Sequence, residues 1–133
     1  MKYNAFGAEL DRNGYAPSIL QQGERCHMCH ENPTFDQLDR HEVFGGAYRK
    51  KSKELGLWVL LCHHEHHIFG RDAVHNNRAK DMELKQEAQR AAMAAYGWDT
   101  EEFIAQFGRN YLEDETNGIQ GRDRLSPANG SGR

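Results

Sequence analysis

The chain has 133 residues, which sets an expectation of one domain. Only 38% of residues are apolar, mean hydropathy is −0.91, and 17 basic against 20 acidic residues leave a net charge of −3. A chain of this length buries roughly two-thirds of its unfolded surface, so so thin a core invites a stabilising staple. No run approaches the roughly 20 apolar residues of a membrane span. The first residues lack a basic start followed by an apolar stretch. The expected location is therefore cytoplasmic, in a bacterial host cell, with no membrane partner. The negative charge also argues against sequence-independent coating of DNA, which relies on Lys and Arg neutralising phosphates.

Residues 1–22 read as a polar lead-in with a turn at Asn13-Gly14 and a short patch, helical or extended, from Ala16 to Leu20. Cys26-x-x-Cys29 reads as a tight knuckle. Leu38 to Phe44 is a short strand ended by Gly45-Gly46, and Lys50 to Leu55 is a loop or a short helix. Leu57 to Leu61 is the clearest strand, apolar and short, and it delivers Cys62 at its end. His63 to Phe69 begins a helix closed at Gly70. Ala79 to Tyr96 is a helix with Leu84, Ala88, Ala91 and Ala95 at helical spacing, stopped by Gly97. Asp99 to Phe107 is a second helix, capped by Asp99 with Glu102 three residues on; Phe103, Ile104 and Phe107 should face inward. Beyond about Glu115 the composition predicts a disordered tail.

Three cysteines and eight histidines carry the chemistry. A Cys-x-x-Cys knuckle and a third Cys at a strand end supply three thiolates for tetrahedral zinc. Among His63, His64, Glu65, His66 and His67, the Cys-x-x-x-His spacing selects His66 as the fourth ligand. A redox pair would instead open a helix in a βαβ setting, which this pattern lacks. The remaining histidines of the run, with His75, are available to a second divalent cation. His41-Glu42 lies between the two halves of the zinc site, so folding that site brings His41 towards His67. Five basic residues and one acid fall between Arg40 and Lys53; Arg49, Lys50, Lys51 and Lys53 are candidate phosphate contacts.

Taken together, Cys26-x-x-Cys29, His41-Glu42-Val43-Phe44-Gly45-Gly46, Arg49, Ser52, Gly56-Leu57, Leu61-Cys62, His66-His67 and His75 resemble the HNH nuclease superfamily, in particular its small phage and prophage members. The resemblance covers residues 13–112. It implies an α+β fold: a small ββα-metal core stapled by zinc, with C-terminal helices. The domain would span residues 1–113, with a flexible tail over 114–133. It also implies a metal-dependent DNA endonuclease, in phage DNA replication, recombination or processing, using magnesium, manganese or nickel beside the structural zinc. His67 and His75 would be metal ligands, and His41 and Glu42 would provide base and metal-positioning functions. The family often carries a His-His or Asp-His pair where this chain has His41-Glu42. If His41 takes the metal position, Glu42 stands where the base should be; if His41 is the base, Arg40 stands at the metal position and cannot ligate. The central Asn of the family name has no counterpart, since Tyr48 stands beside Arg49. The alternative is a non-catalytic zinc module that binds DNA or a replication or recombination protein. The oligomeric state is left open.

Overall fold

The computed structural model describes residues 1–32 and 36–113; the tail over 114–133 lies outside the described residues. The fold is α+β, with two small antiparallel sheets and helices packed on one of them. The lead-in is not without structure: β1 (Lys2–Tyr3) and β2 (Glu9–Leu10) pair as a hairpin. Two-residue strands are too short to show a period. The expected turn at Asn13-Gly14 forms, with the Asp11 carboxylate accepting from the N–H groups of Asn13 and Tyr15.

The central sheet is β3 (Leu38–Glu42) against β4 (Trp58–Cys62), antiparallel, with His41 opposite Val59 and Leu38 opposite Cys62. Strand side chains alternate between faces, and Val59 and Leu61 point into the core, both fully buried. Between the strands, a 3-10 turn at Gly46–Tyr48 leads into α1 (Arg49–Glu54). Its buried Ser52 hydroxyl donates to the Leu57 carbonyl at 2.6 Å and accepts from the Phe44 N–H at 3.2 Å. That fixes both ends of the β3–β4 connection. The outer edge of β4 is covered by residues 18–27: Ser18 Oγ donates to the Trp58 carbonyl, Gln21 Oε1 accepts from the Leu60 N–H, and the His27 N–H donates to the Leu60 carbonyl. An edge strand covered in this way offers no free ladder for another chain. At Gly56, φ is +74° and a Cβ would sit 2.3 Å from the Pro17 carbonyl oxygen, so the N-terminal segment crosses the β4 entrance only over glycine.

A π-helical turn, His63–Ile68, follows β4 directly, where the sequence suggested the start of a helix. Next come α2 (Arg78–Tyr96) and α3 (Thr100–Phe107). The Asn77 side chain caps α2 on the Lys80 N–H, and Asp99 caps α3 on the Glu102 N–H. The buried face of α2 is Leu84, Ala88 and Ala92, with Gln86 and Gln89. Of the residues expected to recur there, Ala91 is half-buried and Ala95 exposed, because Gln89 is drawn inside by a polar anchor. It donates to Asn110 Oδ1 and accepts from the Tyr111 N–H, both at 2.8 Å, so its burial leaves no amide group unpaired. On α3, Phe103 and Phe107 are buried, but Ile104 is 38% exposed, because those two rings already fill the space against Phe44. Among the described residues, no helix is long and apolar enough to cross a membrane.

Candidate metal centres

The ligand atoms of Cys26, Cys29, Cys62 and His66 all lie within 4.8 Å of one another. The Cys26–Cys29 knuckle is closed by the His30 N–H on the Cys26 carbonyl at 2.7 Å and the Cys26 N–H on the Glu31 carbonyl at 2.8 Å. His30 takes a left-handed φ of 64° to do so. The bond from the His27 N–H to the Leu60 carbonyl lays the knuckle on β4, two residues before Cys62. Cys29 Sγ then lies 3.7 Å from Cys62 Sγ, and Cys26 Sγ lies 3.4 Å from His66 Nδ1. Ligand lengths around tetrahedral zinc give edges of about 3.8 Å for S···S and about 3.6 Å for S···N. The four side chains can therefore hold a metal ion such as zinc. Burial and the neighbouring thiols push the Cys62 thiol up, whereas at Cys26 the opposing effect of burial is outweighed by the N–H groups of Cys29, Cys62 and Met28, which bring it down.

The π-helical turn delivers the histidines. Asp36 accepts from the His64 N–H at 3.0 Å and the Glu65 N–H at 3.4 Å, satisfying the open donors at its start. The Gly70 N–H closes the turn on the His64 carbonyl at 2.7 Å. A Cβ on Gly70 would sit 1.9 Å from the Glu65 carbonyl oxygen. Consecutive residues on a helical turn do not share a face. His66 accordingly joins the cysteines, and His67 turns to the other side of β3.

There, His41, His67 and His75 form a second cluster, again with ligand atoms within 4.8 Å. His67 Nε2 and His75 Nε2 are 3.2 Å apart. His41 is 7% exposed, and its Nε2 is buried with no hydrogen-bond partner. Burial first, then the charges of His67, His75 and Lys85, push the His41 imidazole down to about 3. Burial and His67 also lower His75. Neutral imidazole is the form that ligates a metal, and an orphaned buried nitrogen asks for an ion or another partner. The donor set fits a divalent cation.

Residues two apart on a strand share a face, so Asp39 lies beside His41 on the histidine side. Asp39 Oδ2 accepts from His67 Nδ1 at 2.8 Å and His63 Nδ1 at 2.5 Å. Burial would raise its carboxyl, but hydrogen bonds from His67, His63 and Gln37 outweigh burial and hold it below the usual carboxylate range. On the other face, Arg40 stacks over Tyr15, 4.3 Å from its centroid, and pairs with Asp11. Glu42 accepts from the Tyr15 hydroxyl on Oε2 and from Arg49 Nε at 2.7 Å on Oε1. Burial, then Glu42, raise the Tyr15 phenol to about 12.

His41, Glu42, Arg49, His67 and His75 line one cleft of about 690 Å³. The other basic candidates do not. Lys50 and Lys53 line a separate depression beside Asn13 and Gly14. Lys51 donates to the Gln106 carbonyl at 3.0 Å. The reason is geometric: residues 49–54 take the helical one of the two expected forms, so their side chains radiate to different sides. In their place α2 brings Arg78, Asp81 and Lys85 to the cleft. No spacing in the sequence marked those three, nor Tyr15. Asp39 was findable from the strand period two residues before His41. Comparison of this chain with known protein families, with curated proteins and with solved structures gives no match.

Proposed function

We propose that the protein is a metal-dependent endonuclease that hydrolyses DNA phosphodiester bonds on a ββα-metal core made of β3, β4 and the turn that follows. Cys26, Cys29, Cys62 and His66 hold a structural zinc, and His41, His67 and His75 hold a second divalent cation. The observation that carries this reading is the unpartnered, buried Nε2 of His41. It converges with two further imidazoles in a cleft where Arg40, Arg49, Arg78 and Lys85 outnumber Glu42 and Asp81, with Arg49 paired to Glu42 and Lys85 to Asp81, each at 2.7 Å. A divalent ion in such a site supplies Lewis acidity to the phosphoryl oxygen and acidifies water. His41 is then a ligand, and Glu42, which reaches the same cleft from the other face of β3, is the carboxylate left to act as general base. Each Glu42 oxygen already accepts one hydrogen bond and keeps lone-pair capacity for the proton of the attacking water. Arg49 and Tyr15 orient that carboxylate, while Arg78 and Lys85 hold flanking phosphates.

The double engagement of Glu42 also favours a second reading, a zinc module that binds DNA or a recombination protein without cutting. Incubation of the zinc-loaded protein with supercoiled, single-stranded and branched DNA in magnesium, manganese or nickel separates the two. Cleavage should require the ion and stop with chelator. His41→Ala should abolish it with one zinc per chain retained. Glu42→Gln should slow it about 10²–10⁴-fold, the usual scale of general-base catalysis. No cleavage of any of these DNAs with any of these ions replaces the nuclease reading with the binding module.

A further inference from the structure

We propose that Asp39 is a positioning residue for the second metal centre: it holds His67 with its proton on Nδ1, so that Nε2 faces His41 and His75 as a bare ligand. The inference rests on the metal-centre reading above and concerns the residue behind it. Asp39, His63 and His67 also form a cluster compact enough to hold an ion themselves, so the two roles need separating. Bond lengths decide. Ligand atoms about 2.1 Å from a shared cation stand about 3.0 Å apart in octahedral and about 3.4 Å apart in tetrahedral coordination. His67 Nε2 and His75 Nε2, at 3.2 Å, fall in that range. Asp39 Oδ2 stands 2.8 Å from His67 Nδ1, the length of a charge-assisted hydrogen bond, and 2.5 Å from His63 Nδ1, both too close for two ligands of one ion.

The two nitrogens of His67 thus have different duties. Nδ1 is spent on the carboxylate, and only Nε2 remains for a cation. A carboxylate behind a metal-ligating imidazole fixes its tautomer and ring angle and raises its basicity. Asp39 is itself fixed: it sits inside β3 opposite Leu61, and Gln37 Nε2 donates to its Oδ1 at 2.9 Å. His63 shares the same carboxylate oxygen as His67 and is more exposed, 41% against 15%, so it supports Asp39 from the solvent side.

The test uses the full-length, zinc-loaded protein with nickel as the probe ion, and nitrogen-resolved NMR of the histidine rings at roughly pH 8.5, two units above the ordinary imidazole value. In wild type without nickel, His67 should carry its proton on Nδ1. Asp39→Asn should lose that tautomer preference and bind nickel about 10–100-fold more weakly, while keeping one zinc per chain. His63→Ala should keep the tautomer and weaken nickel by less than about tenfold. A proton on Nε2 of His67 in wild type overturns the proposal. So does a His63→Ala loss equal to that of Asp39→Asn, which would make the three side chains ligands of their own ion. If Asp39→Asn does not fold, the wild-type tautomer and His63→Ala decide. If the wild type takes up no second ion, the metal-dependent reading falls, and the tautomer of His67 decides the Asp39 contact by itself.

Discussion

Replacing Cys62 with Ser should unfold the protein, and the size of the effect follows from where Cys62 sits. Its thiol ends β4, is 4% exposed, and lies against Cys29, 33 residues away in sequence. A cross-link closing a loop of that length removes about 3.7 kcal/mol of chain entropy from the unfolded state. Bonds to the ion itself raise the total for a structural zinc to about 10–16 kcal/mol. A domain of this kind is stable by about 5–15 kcal/mol in all, so losing the ion exhausts the margin. A serine hydroxyl is a poor replacement for a thiolate, and three ligands remain where four are needed. Metal analysis with circular dichroism across a urea titration gives the readout. Wild type should hold about one zinc per chain and unfold cooperatively; Cys62→Ser should be metal-poor and show no cooperative transition. Chelator added to wild type should produce the same loss, which covers the case of a variant that cannot be purified. A Cys62→Ser protein that is metal-free, folded and cooperative would refute the reasoning.

Two further outcomes are expected. In protein carrying zinc alone, burial and the facing groups His67, His75 and Lys85 depress the His41 value to about 3, so the unfolded chain takes up the proton first; stability is complete above roughly pH 6.5 and falls as pH drops from there towards 3, with a slope of at most about 1.4 kcal/mol per pH unit. His41→Gln should flatten that slope between about pH 7 and pH 5 in urea midpoints, and identical slopes would mean that His41 is not held neutral. In DNA binding, Arg78→Glu or Lys85→Glu should reduce the slope of log affinity against log salt by about one per lost phosphate contact, whereas Lys50→Glu, facing the separate depression, should leave it unchanged; the reverse pattern would place the DNA on the Lys50–Lys53 side.

The zinc-type cluster was legible because its ligands are set by local rules. A Cys-x-x-Cys knuckle and a Cys-x-x-x-His turn each place two ligands within one tight loop, and the strand between them is the most apolar run in the chain. The cap at Asp99 was legible for the same reason. The second cluster was legible only in part. His41, His67 and His75 come together as their spacing suggested, but which of His41 and Glu42 faces them is a question of strand phase. Register sends 39 and 41 to one side and 40 and 42 to the other, and the register is visible only once β3 is paired with β4. The basic residues divide, Arg49 to the histidine cleft and Lys50 and Lys53 to a separate depression, because charge composition does not say whether residues 49–54 are a loop or a helix. Arg78 and Lys85 stayed hidden because they belong to an ordinary amphipathic helix and meet the cleft through tertiary packing.

The two clusters are joined by a single peptide bond, between His66 and His67, and that junction governs how they depend on one another. His66 is drawn to the Cys26 thiol, and His67 is held by Asp39 on the opposite side of the turn. An ion held through His66 therefore fixes the backbone that aims His67. The dependence runs mainly one way. The cysteines are anchored in the core and to β4, independently of His41 and His75, so emptying the histidine cluster leaves them in place. Emptying the cysteine cluster releases His66, and the π-helical turn is then held by the Asp36 cap, the His63 N–H on the Gln37 carbonyl, the Asp39 carboxylate on His63 and His67, and the Val74 and His75 N–H groups on the His66 and His67 carbonyls. His67 and His75 stay joined through the His75 N–H on the His67 carbonyl, so what is lost is the anchor of the turn against the buried cysteines. The histidine cluster thus leans on the cysteine cluster through His66, so His41→Ala should fold and keep the metal of the cysteine cluster, whereas a protein with the cysteine cluster emptied should not fold.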